Sequence, residues 1–517
     1  MDHGNGVASG AHSSSTGRAR PRRRGAALAA GLIAALALGA GSGSASAVTW
    51  NHGPTLKILR TLPDLHPERV RLTTDKAGAT DTDVFVAPKR DYGNWQTGPM
   101  ILNPQGKLLW YLPMAPGQRA FNFNRQTYEG KPVLTWWQGQ QAGGFGSGED
   151  VIYDTNYRQI ATVQAGKGLK ADLHEFQITP QNTALLIAYK PVRMDLRSVG
   201  GTKNDLAMDN VMEEIDIKTG KVLLAWHTAQ HIKPTESYGT VPADPKAPFD
   251  YVHMNSVDLA KDGNILISGR GTHAYYEIDR KTGKLLWRMG GKRSDFKMGP
   301  GARTAWQHDV RSLTATRISA FDNNAAVPAK GVQSRGVILK VDVRARTVRL
   351  IKAFKHRPKP ILAASQGNMQ SIQDARGRYT GNEMVGWGGD NQAFTEFNAK
   401  GDIVWEATFL SDKVDTYRAY KQTWSGNAPG VPLLNVQSSG GRTVARMSWN
   451  GATQISSWRV LGGPTGGTLT PVGSIAWSDL ETGLTLGGPV QQQYQVQALD
   501  AAGNVLGTSA PVGVTAG

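Results

Sequence analysis

The sequence predicts an all-β protein, a six-bladed β-propeller followed by a small C-terminal β-sandwich. Three observations lead to this prediction. Glycine and tryptophan are abundant, with 61 and 14 copies in 517 residues, which suits many short strands joined by tight turns. One hairpin pattern recurs along most of the chain, and the composition changes near residue 425. No long amphipathic helix pattern accompanies the hairpins.

The recurring pattern is a short apolar strand that ends near an acidic residue or asparagine, a turn, and a second apolar strand. Its turns lie roughly 50 to 65 residues apart, which is the spacing of propeller blades rather than of single hairpins. Further strands are predicted between the copies. Six copies indicate six blades, and a β-sandwich with unrelated hairpins is the alternative. The copies are residues 101–110, 151–160, 214–223, 277–287, 340–348 and 396–405.

The N-terminus has the pattern of a targeting segment. Five arginines between residues 18 and 24 precede the apolar run 26–40, and Ala45-Ser46-Ala47 fits a small-residue cleavage site. Residues 1–47 are therefore predicted to be a signal peptide, and the protein is predicted to be secreted or extracytoplasmic. A membrane anchor is the alternative, but the apolar run is short for a spanning helix. Arg22-Arg23 permits a twin-arginine route.

Three further segments follow from composition and turn residues. Residues 48–424 hold the hairpin repeats and form the predicted propeller. Residues 425–432 are rich in Gly and Pro and are interpreted as a linker. Residues 433–517 are poor in charge, carry turns at short spacing and are predicted to form a separable β-sandwich of the fibronectin type III or immunoglobulin-like kind.

Composition excludes several kinds of chemistry. The chain has no cysteine, so a disulfide scaffold, thiolate metal sites and a thiol nucleophile are all excluded. No phosphate-binding loop of the GxxxxGK[ST] type and no GxSxG elbow is present. The net charge of +17 could attract anionic substrates or an anionic cell-wall surface. Because the basic residues are scattered rather than arranged in a stripe with aromatics, no nucleic-acid partner is predicted.

The histidines of the repeats carry the functional signal. His174, His253 and His308 precede or open predicted strands in successive repeats, and Arg270 follows the strand that His253 starts. Equivalent positions in successive blades converge on the central channel of a propeller, so the four side chains are expected to meet. A single histidine in such a place is typical of a structural residue. As a set, imidazoles and a guanidinium suit a substrate rich in anionic oxygen, although three imidazoles could also hold a metal ion.

Several short motifs, taken in order, resemble the arylsulfotransferase family, specifically its actinobacterial and fungal branch. The resemblance extends from about residue 50 to residue 424. Members of the enterobacterial branch carry an N-terminal β-domain and a disulfide, whereas this chain has a C-terminal β-domain and no cysteine. The motifs are Trp136-Trp137-Gln138-Gly139, Asp172-Leu173-His174-Glu175-Phe176, His253-Met254-Asn255-Ser256-Val257, Leu266-Ile267-Ser268-Gly269-Arg270, Trp287-Arg288-Met289-Gly290-Gly291, Trp306-Gln307-His308-Asp309 and Gly386-Trp387-Gly388-Gly389.

The resemblance implies a six-bladed propeller and transfer of a sulfuryl group from a phenolic sulfate ester to a phenol, without a nucleotide sulfate donor. It places His174, His253, Arg270 and His308 in the active site, with His308 as the histidine that carries the sulfuryl group. Asn255 is predicted to bind substrate. The implied partners are a small-molecule phenolic sulfate and a phenol. No cofactor, no metal ion and no membrane span after signal cleavage is predicted.

Two other functions remain open at the level of sequence: a non-enzymatic propeller that binds an anionic wall glycan or another protein, and a metal-dependent hydrolase or lyase that uses the same histidines. Adjacent side chains of a strand point to opposite faces, so Asp309 is expected to brace backbone rather than pair with His308. The partner of the second ring nitrogen of His308 cannot be named from the sequence. The glycine-rich stretch 144–148 is interpreted as a loop.

Overall fold

The computed structural model describes residues 58–89, 96–325, 332–389, 391 and 393–516. These residues all belong to one compact unit, 53–517. The predicted targeting segment and the first residues of the predicted propeller lie outside them. The protein is all-β, with 52% strand and 2% helix. Among the helices of the described residues, none combines the length and the apolar character needed to cross a membrane.

Twenty-six strands precede residue 425 in the described part of the chain. Helical structure there is limited to one short α-helix, Thr228–His231, and two 3-10 turns, Arg197–Val199 and Pro234–Glu236. The strands are β1 (Val70–Asp75), β2 (Asp83–Lys89), β3 (Met100–Leu102), β4 (Leu108–Tyr111), β5 (Arg119–Tyr128), β6 (Lys131–Ala142), β7 (Phe145–Tyr153), β8 (Gln159–Val163), β9 (Ala171–Ile178), β10 (Thr183–Met194), β11 (Asp205–Asp216), β12 (Val222–His227), β13 (Met254–Leu259), β14 (Ile265–Gly269), β15 (Ala274–Ile278), β16 (Leu285–Gly290), β17 (Lys297–Met298), β18 (His308–Thr314), β19 (Arg317–Asp322), β20 (Arg335–Asp342), β21 (Thr347–Phe354), β22 (Asn368–Gln373), β23 (Tyr379–Gly386), β24 (Ala393–Phe397), β25 (Ile403–Phe409) and β26 (Asp415–Gln422).

These strands form antiparallel sets of four. The sets are β26-β2-β3-β4, β5 to β8, β9 to β12, β13 to β16, β18 to β21 and β22 to β25, and β1 and β17 add to the edges of the last and the fifth set. The second and third sets join into one eight-stranded sheet through a single pairing of Gly148 with Ala171. We call β26, β5, β9, β13, β18 and β22 the inner strands. Each inner strand contacts the next, and β22 contacts β26, so the inner strands make a closed cycle.

All six predicted hairpins are confirmed as antiparallel pairs. They are β3–β4, β7–β8, β11–β12, β15–β16, β20–β21 and β24–β25, and each supplies the third and fourth strands of its set. The interpretation of residues 144–148 as a loop is wrong, because β7 begins at Phe145. Gly146 and Gly148 are needed there for packing: a Cβ at either position would lie 2.6 or 2.7 Å from the ring of Trp137.

Amide side chains join the inner strands to one another. Neighbouring inner strands belong to different sets, so no continuous backbone ladder runs between them. Asn368 of β22 accepts a hydrogen bond from the backbone N–H of Ala419 in β26 (2.9 Å) and donates one to its carbonyl (2.8 Å). Gln422 of β26 makes the same double contact with the backbone of Arg125 in β5 (2.8 and 2.9 Å). Such contacts satisfy backbone groups that would otherwise be buried without partners.

Residues 433–516 form two further four-stranded sheets, of order β31-β28-β27-β34 and β30-β29-β32-β33. Their shared core contains Trp458 and Tyr494, both buried. These sheets contact the first set directly: Asn450 accepts from the backbone N–H of Tyr111 (3.0 Å) and donates to its carbonyl (2.9 Å). The strands are β27 (Leu433–Ser439), β28 (Arg442–Ser448), β29 (Ser457–Gly463), β30 (Thr470–Ala476), β31 (Glu481–Leu486), β32 (Gln493–Leu499), β33 (Val505–Thr508) and β34 (Thr515–Ala516).

Removal of the Asn368 amide should destabilise the protein strongly. Asn368→Ala leaves the N–H and the carbonyl of Ala419 buried without these partners, so we expect the free energy of unfolding to fall by about 3 kcal/mol. Urea unfolding measures this loss. The control is Asn504→Ala, an exposed turn residue, which should cost less than about 0.5 kcal/mol. Equal small losses in both variants would show that the amides do not hold the inner strands together.

Candidate active site

The three predicted histidines lie at or near the starts of three successive inner strands. His308 is the first residue of β18, and His253 immediately precedes β13, as predicted. His174 is the fourth residue of β9, so the expectation that it precedes or opens its strand is wrong. β9 starts earlier because Ala171 already pairs with Ala188 and Gly148.

Arg270 follows β14, the antiparallel neighbour of β13, rather than the strand that His253 precedes. The backbone explains why it nevertheless lies beside the histidines. The N–H of Arg270 donates to the carbonyl of His253 (3.0 Å), and the N–H of Gly271 donates to the carbonyl of Val252 (2.7 Å). The turn after β14 is therefore fastened to the residues just before β13.

His174 and His253 are adjacent, with ring centroids 4.9 Å apart in an edge-to-face arrangement. Each is held by a carboxylate close to it in sequence: Nδ1 of His174 bonds to Asp172, and Nδ1 of His253 bonds to Asp250. The same carboxylates accept from the backbone N–H groups of their histidines (3.0 and 3.1 Å). Because Nδ1 of each ring is engaged, Nε2 is the nitrogen left to meet a substrate.

The pairing with Asp250 determines where the proton of the His253 ring lies. Burial acts to raise the pKa of Asp250, but His253, Asn210 and His174 together outweigh this effect, and the pKa of the carboxyl lies below its usual value. Burial lowers the pKa of His253, and the carboxylate compensates only in part. His253 is therefore a neutral ring with its proton on Nδ1, donated to an ionised carboxylate, and its Nε2 can accept a proton.

His308 is almost completely buried, at 1% exposure. Its Nδ1 lies 2.7 Å from Oδ1 of Asn323 and 2.9 Å from the carbonyl of Trp306, both of which are acceptors. Its Nε2 accepts from the backbone N–H of Gln366 at 3.1 Å. This pattern requires a neutral ring with the proton on Nδ1 and the lone pair on Nε2. Asn323 is thus the partner that the sequence could not name.

Charge and burial both keep His308 neutral. Burial lowers its pKa well below the usual value, and the positive charge of Arg270 lowers it further, with smaller contributions from His253 and His174. The other three predicted catalytic residues therefore all act electrostatically on His308. Asn323 is itself fixed, since its Nδ2 donates to the carbonyls of Ala363 (3.1 Å) and Gln366 (3.0 Å), which turns Oδ1 toward His308.

The guanidinium of Arg270 places a positive charge beside the histidines. Its guanidinium lies over the indole ring of Trp306, 4.1 Å from the ring centroid, and Nη2 reaches the carbonyl of Ala364 at 3.5 Å. Within the described part of the chain, its buried Nε has no hydrogen-bond partner. The guanidinium therefore keeps donors for a ligand, and stacking on Trp306 restricts its position.

Asn255 and Asp309 lie behind the histidines. Nδ2 of Asn255 donates to the carbonyl of Gln307 (2.8 Å), so this side chain supports the backbone that leads into His308. Its role in substrate binding stays a prediction. Asp309 accepts from the backbone N–H of Met369 (3.1 Å) and bonds to Arg311, which confirms that it braces backbone rather than pairing with His308.

Sequence reasoning gave no role in the site to five residues that surround the cluster: Asp172, Asp250, Trp306, Asn323 and Tyr417. The two aspartates could have been found, because each lies two or three positions before a predicted histidine. Nothing local identifies Asn323, which is 15 positions from His308, or Tyr417, whose ring packs edge-on against His174.

A cavity of about 600 Å³ lies elsewhere in the fold and is lined in part by Glu175, Arg311 and Gln422. None of the four predicted catalytic residues lines it. Its lining residues on β9 and β18 come later in those strands than His174 and His308. We take the histidine cluster as the candidate site, because its imidazoles and the guanidinium of Arg270 are the groups that can bind an anionic substrate or transfer a proton.

The described residues hold no group of three or more His, Asp or Glu side chains placed to bind a metal ion. The three histidines of the cluster are instead engaged with carboxylates or with an amide. The site therefore does not favour the metal-dependent alternative.

The fold and the site together define an all-β protein with a buried, cation-flanked histidine cluster. Residues 124–410, more than half of the chain, match the family model described as Arylsulfotransferase (ASST). The chain belongs to the arylsulfotransferase family. A comparison with curated protein sequences finds no match.

Solved structures give more distant similarities. A protein of unknown function from Bacteroides caccae is 12% identical, with a TM-score of 0.39, and the match covers 66% of this chain and 99% of that one. The periplasmic gluconolactonase PpgL of Pseudomonas aeruginosa is 12% identical, with a TM-score of 0.34 and coverage of 84% and 96%. Virginiamycin B lyase from Staphylococcus aureus is 8% identical, with a TM-score of 0.32 and coverage of 65% and 88%. At these values the similarities carry no argument about function.

The neutral state of His308 predicts a pH-dependent contribution to stability. In the unfolded chain this ring takes up a proton below about pH 6.5, whereas the folded ring stays neutral to a much lower pH. Its contribution is therefore present above pH 6.5 and is lost as the pH falls toward the folded pKa. The difference in unfolding free energy between wild type and His308→Ala should shrink by about 1.4 kcal/mol per pH unit over that window. Urea unfolding from pH 7 to pH 5.5 measures it, and a difference that does not change with pH would contradict a neutral His308.

Proposed function

We propose that this protein is an exported aryl sulfotransferase that moves a sulfuryl group from a phenolic sulfate ester to a phenol through a sulfohistidine intermediate on His308. Family membership supports aryl sulfotransferase activity in general. The observation that supports the mechanism is the state of His308: a neutral ring, with Nδ1 bonded to Asn323 and a lone pair on Nε2, beside the cation of Arg270.

In the first half-reaction, the lone pair on Nε2 of His308 attacks the sulfur atom. The N–S bond forms, the ester S–O bond breaks, and its electron pair leaves with the phenolate. The hydrogen bond from Gln366 to Nε2 must break at this step, because one lone pair serves both contacts. Arg270 compensates the charge on the sulfuryl oxygens, which resembles the role of arginine in phosphoryl transfer.

In the second half-reaction, the acceptor phenol attacks the same sulfur atom and the N–S bond breaks, which restores the lone pair on Nε2. The proton that the phenol loses goes to Nε2 of His253, whose Nδ1–H bond to Asp250 stabilises the resulting imidazolium. His253 then releases this proton to the solvent, which balances the phenolate that left in the first half-reaction. No nucleotide sulfate donor is needed, and the kinetics are expected to be ping-pong.

The same proposal extends to the architecture and to the finer assignment. The closed cycle of inner strands supports a six-bladed propeller in which each set of four strands is a blade. Two antiparallel sheets with a shared core support a β-sandwich of the fibronectin type III or immunoglobulin-like kind for residues 433–516. The quoted motifs support membership of the actinobacterial and fungal branch. The pattern of residues 1–47 supports export.

Mutation of His308 tests the function directly. His308→Ala should abolish acceptor-dependent release of nitrophenolate from 4-nitrophenyl sulfate in the presence of a phenol, because it removes the attacking nitrogen. His231→Ala is the matched control, since His231 stacks on Trp226 away from the cluster and should keep wild-type turnover.

The covalent intermediate provides a second readout. Wild-type protein quenched after exposure to the donor alone should carry the added mass of one SO3 on the peptide that contains His308. Full activity in His308→Ala, or that mass on a different residue, would remove His308 from the role.

Arg270→Lys separates charge from geometry. Lysine keeps the positive charge but loses the planar fork and the stacking on Trp306, so we expect turnover to fall by about 10- to 100-fold with a nearly unchanged melting temperature. Steady-state kinetics with 4-nitrophenyl sulfate measure the effect. Wild-type kinetics in this variant would mean that Arg270 does not contact the sulfuryl group.

A further inference from the structure

Tyr417 has a buried hydroxyl that no group in the described part of the chain satisfies. The residue lies in β26 and is 2% exposed, and its hydroxyl oxygen has no hydrogen-bond partner there. Buried tyrosine hydroxyls usually find a partner, because an unsatisfied polar group in the interior costs free energy. An orphan hydroxyl inside a candidate active site therefore indicates a place where a ligand binds.

The surroundings of Tyr417 put this hydroxyl within the histidine cluster. Its ring packs edge-on against His174, with centroids 5.8 Å apart. Its carbonyl accepts from the N–H of Gly367 (3.1 Å), next to Gln366, whose own N–H bonds to Nε2 of His308. Tyr417 thus lies between His174 and the segment that touches the lone pair of His308.

A second tyrosine of the cluster shows the contrast. Tyr189 also packs against His174, with centroids 5.8 Å apart, but its hydroxyl donates to the carbonyl of Met254 at 2.6 Å. The hydroxyl of Tyr189 is therefore used by the fold. That of Tyr417 is not, although both rings occupy the same cluster.

The hydroxyl of Tyr417 is available as a donor. Burial, first of all, raises the pKa of its phenol far above the usual value, so the hydroxyl keeps its proton near neutral pH. The hydroxyl also lies close enough to Arg270 that a charge on it would raise the pKa of the guanidinium. A donor beside a cation that itself acts on His308 suits an anionic group.

We propose that the hydroxyl of Tyr417 is a further catalytic donor, which hydrogen-bonds a peripheral oxygen of the sulfuryl group as that group passes to and from His308. This inference rests on the proposed function and adds a residue to it. The donor acts with Arg270, and its contribution is greatest in the transition state, when charge on the peripheral oxygens is redistributed.

The test is Tyr417→Phe in the full chain, assayed with 4-nitrophenyl sulfate and a phenol. Loss of one donor that acts in the transition state should lower kcat by about 100-fold and change the KM for the donor by less than about threefold. The rate at which sulfo-His308 forms with donor alone should fall by the same factor. The variant should fold, with an unchanged or raised melting temperature, because the hydroxyl that it removes has no partner in the fold.

Tyr111→Phe is the matched control. Tyr111 is 1% exposed and its hydroxyl is likewise buried without a hydrogen-bond partner in the described structure, but it lies in β4 outside the cluster. This variant should keep wild-type kinetics. An active wild type with equally active Tyr417→Phe would overturn the role of Tyr417 and leave the proposed function standing. An inactive wild type would overturn both.

Discussion

One buried ionic network holds the centre of the structure. Glu175 of β9 accepts hydrogen bonds from Arg418 of β26 (3.1 Å) and from Arg311 of β18 (2.7 Å), and all three groups are largely withdrawn from water. Arg418 also donates to the carbonyls of His174 (3.0 Å) and Asn255 (3.1 Å). Burying such charges is costly unless each is paired and hydrogen-bonded, so the three inner strands have little freedom to move apart. The inner strand β26 therefore carries Arg418, the residue that bonds to both β9 and β13.

The geometry of the site follows from this constraint. With the carbonyl of His174 held by Arg418, the neighbouring Asp172 can orient the ring through Nδ1, and the ring meets His253 edge to face. His308 is oriented from a different direction, by Asn323 and the carbonyl of Trp306. Rings that are fixed on separate inner strands do not need to reorganise when charge develops between them, which is the condition for electrostatic catalysis. The same burial lowers the pKa of His308, so the rigid site also keeps this ring neutral.

The sequence predicted those parts of the structure that depend on residues close together in the chain. It did not predict contacts that form only when distant inner strands meet. The hairpins could be predicted because apolar strands and turn residues lie within about ten positions of one another. The meeting of His174, His253 and His308 followed from the repeat, since equivalent positions in successive repeats face one axis. Arg418 could not be assigned in this way: it contacts His174 across 244 positions, and only the pairing of β26 with β2 brings them together. The error at residues 144–148 has a similar cause. The glycines of β7 pack against Trp137, and no pattern within the segment itself indicates that it forms a strand.

Several polar atoms around the cluster are buried without hydrogen-bond partners in the described residues. Nε of Arg270, Oδ1 of Asn255 and the hydroxyl of Tyr417 are all buried without partners in the described residues, whereas the carboxylate of Glu175 is bonded to both Arg311 and Arg418. A protein tolerates unpaired buried groups only where the surrounding structure holds them in place, since each would otherwise find a partner by a small rearrangement. The ionic network of Glu175, Arg311 and Arg418 thus holds the inner strands firmly enough for these three groups to remain without partners. Two of those three groups are donors beside the neutral ring of His308, and an anionic group that arrived there would satisfy them.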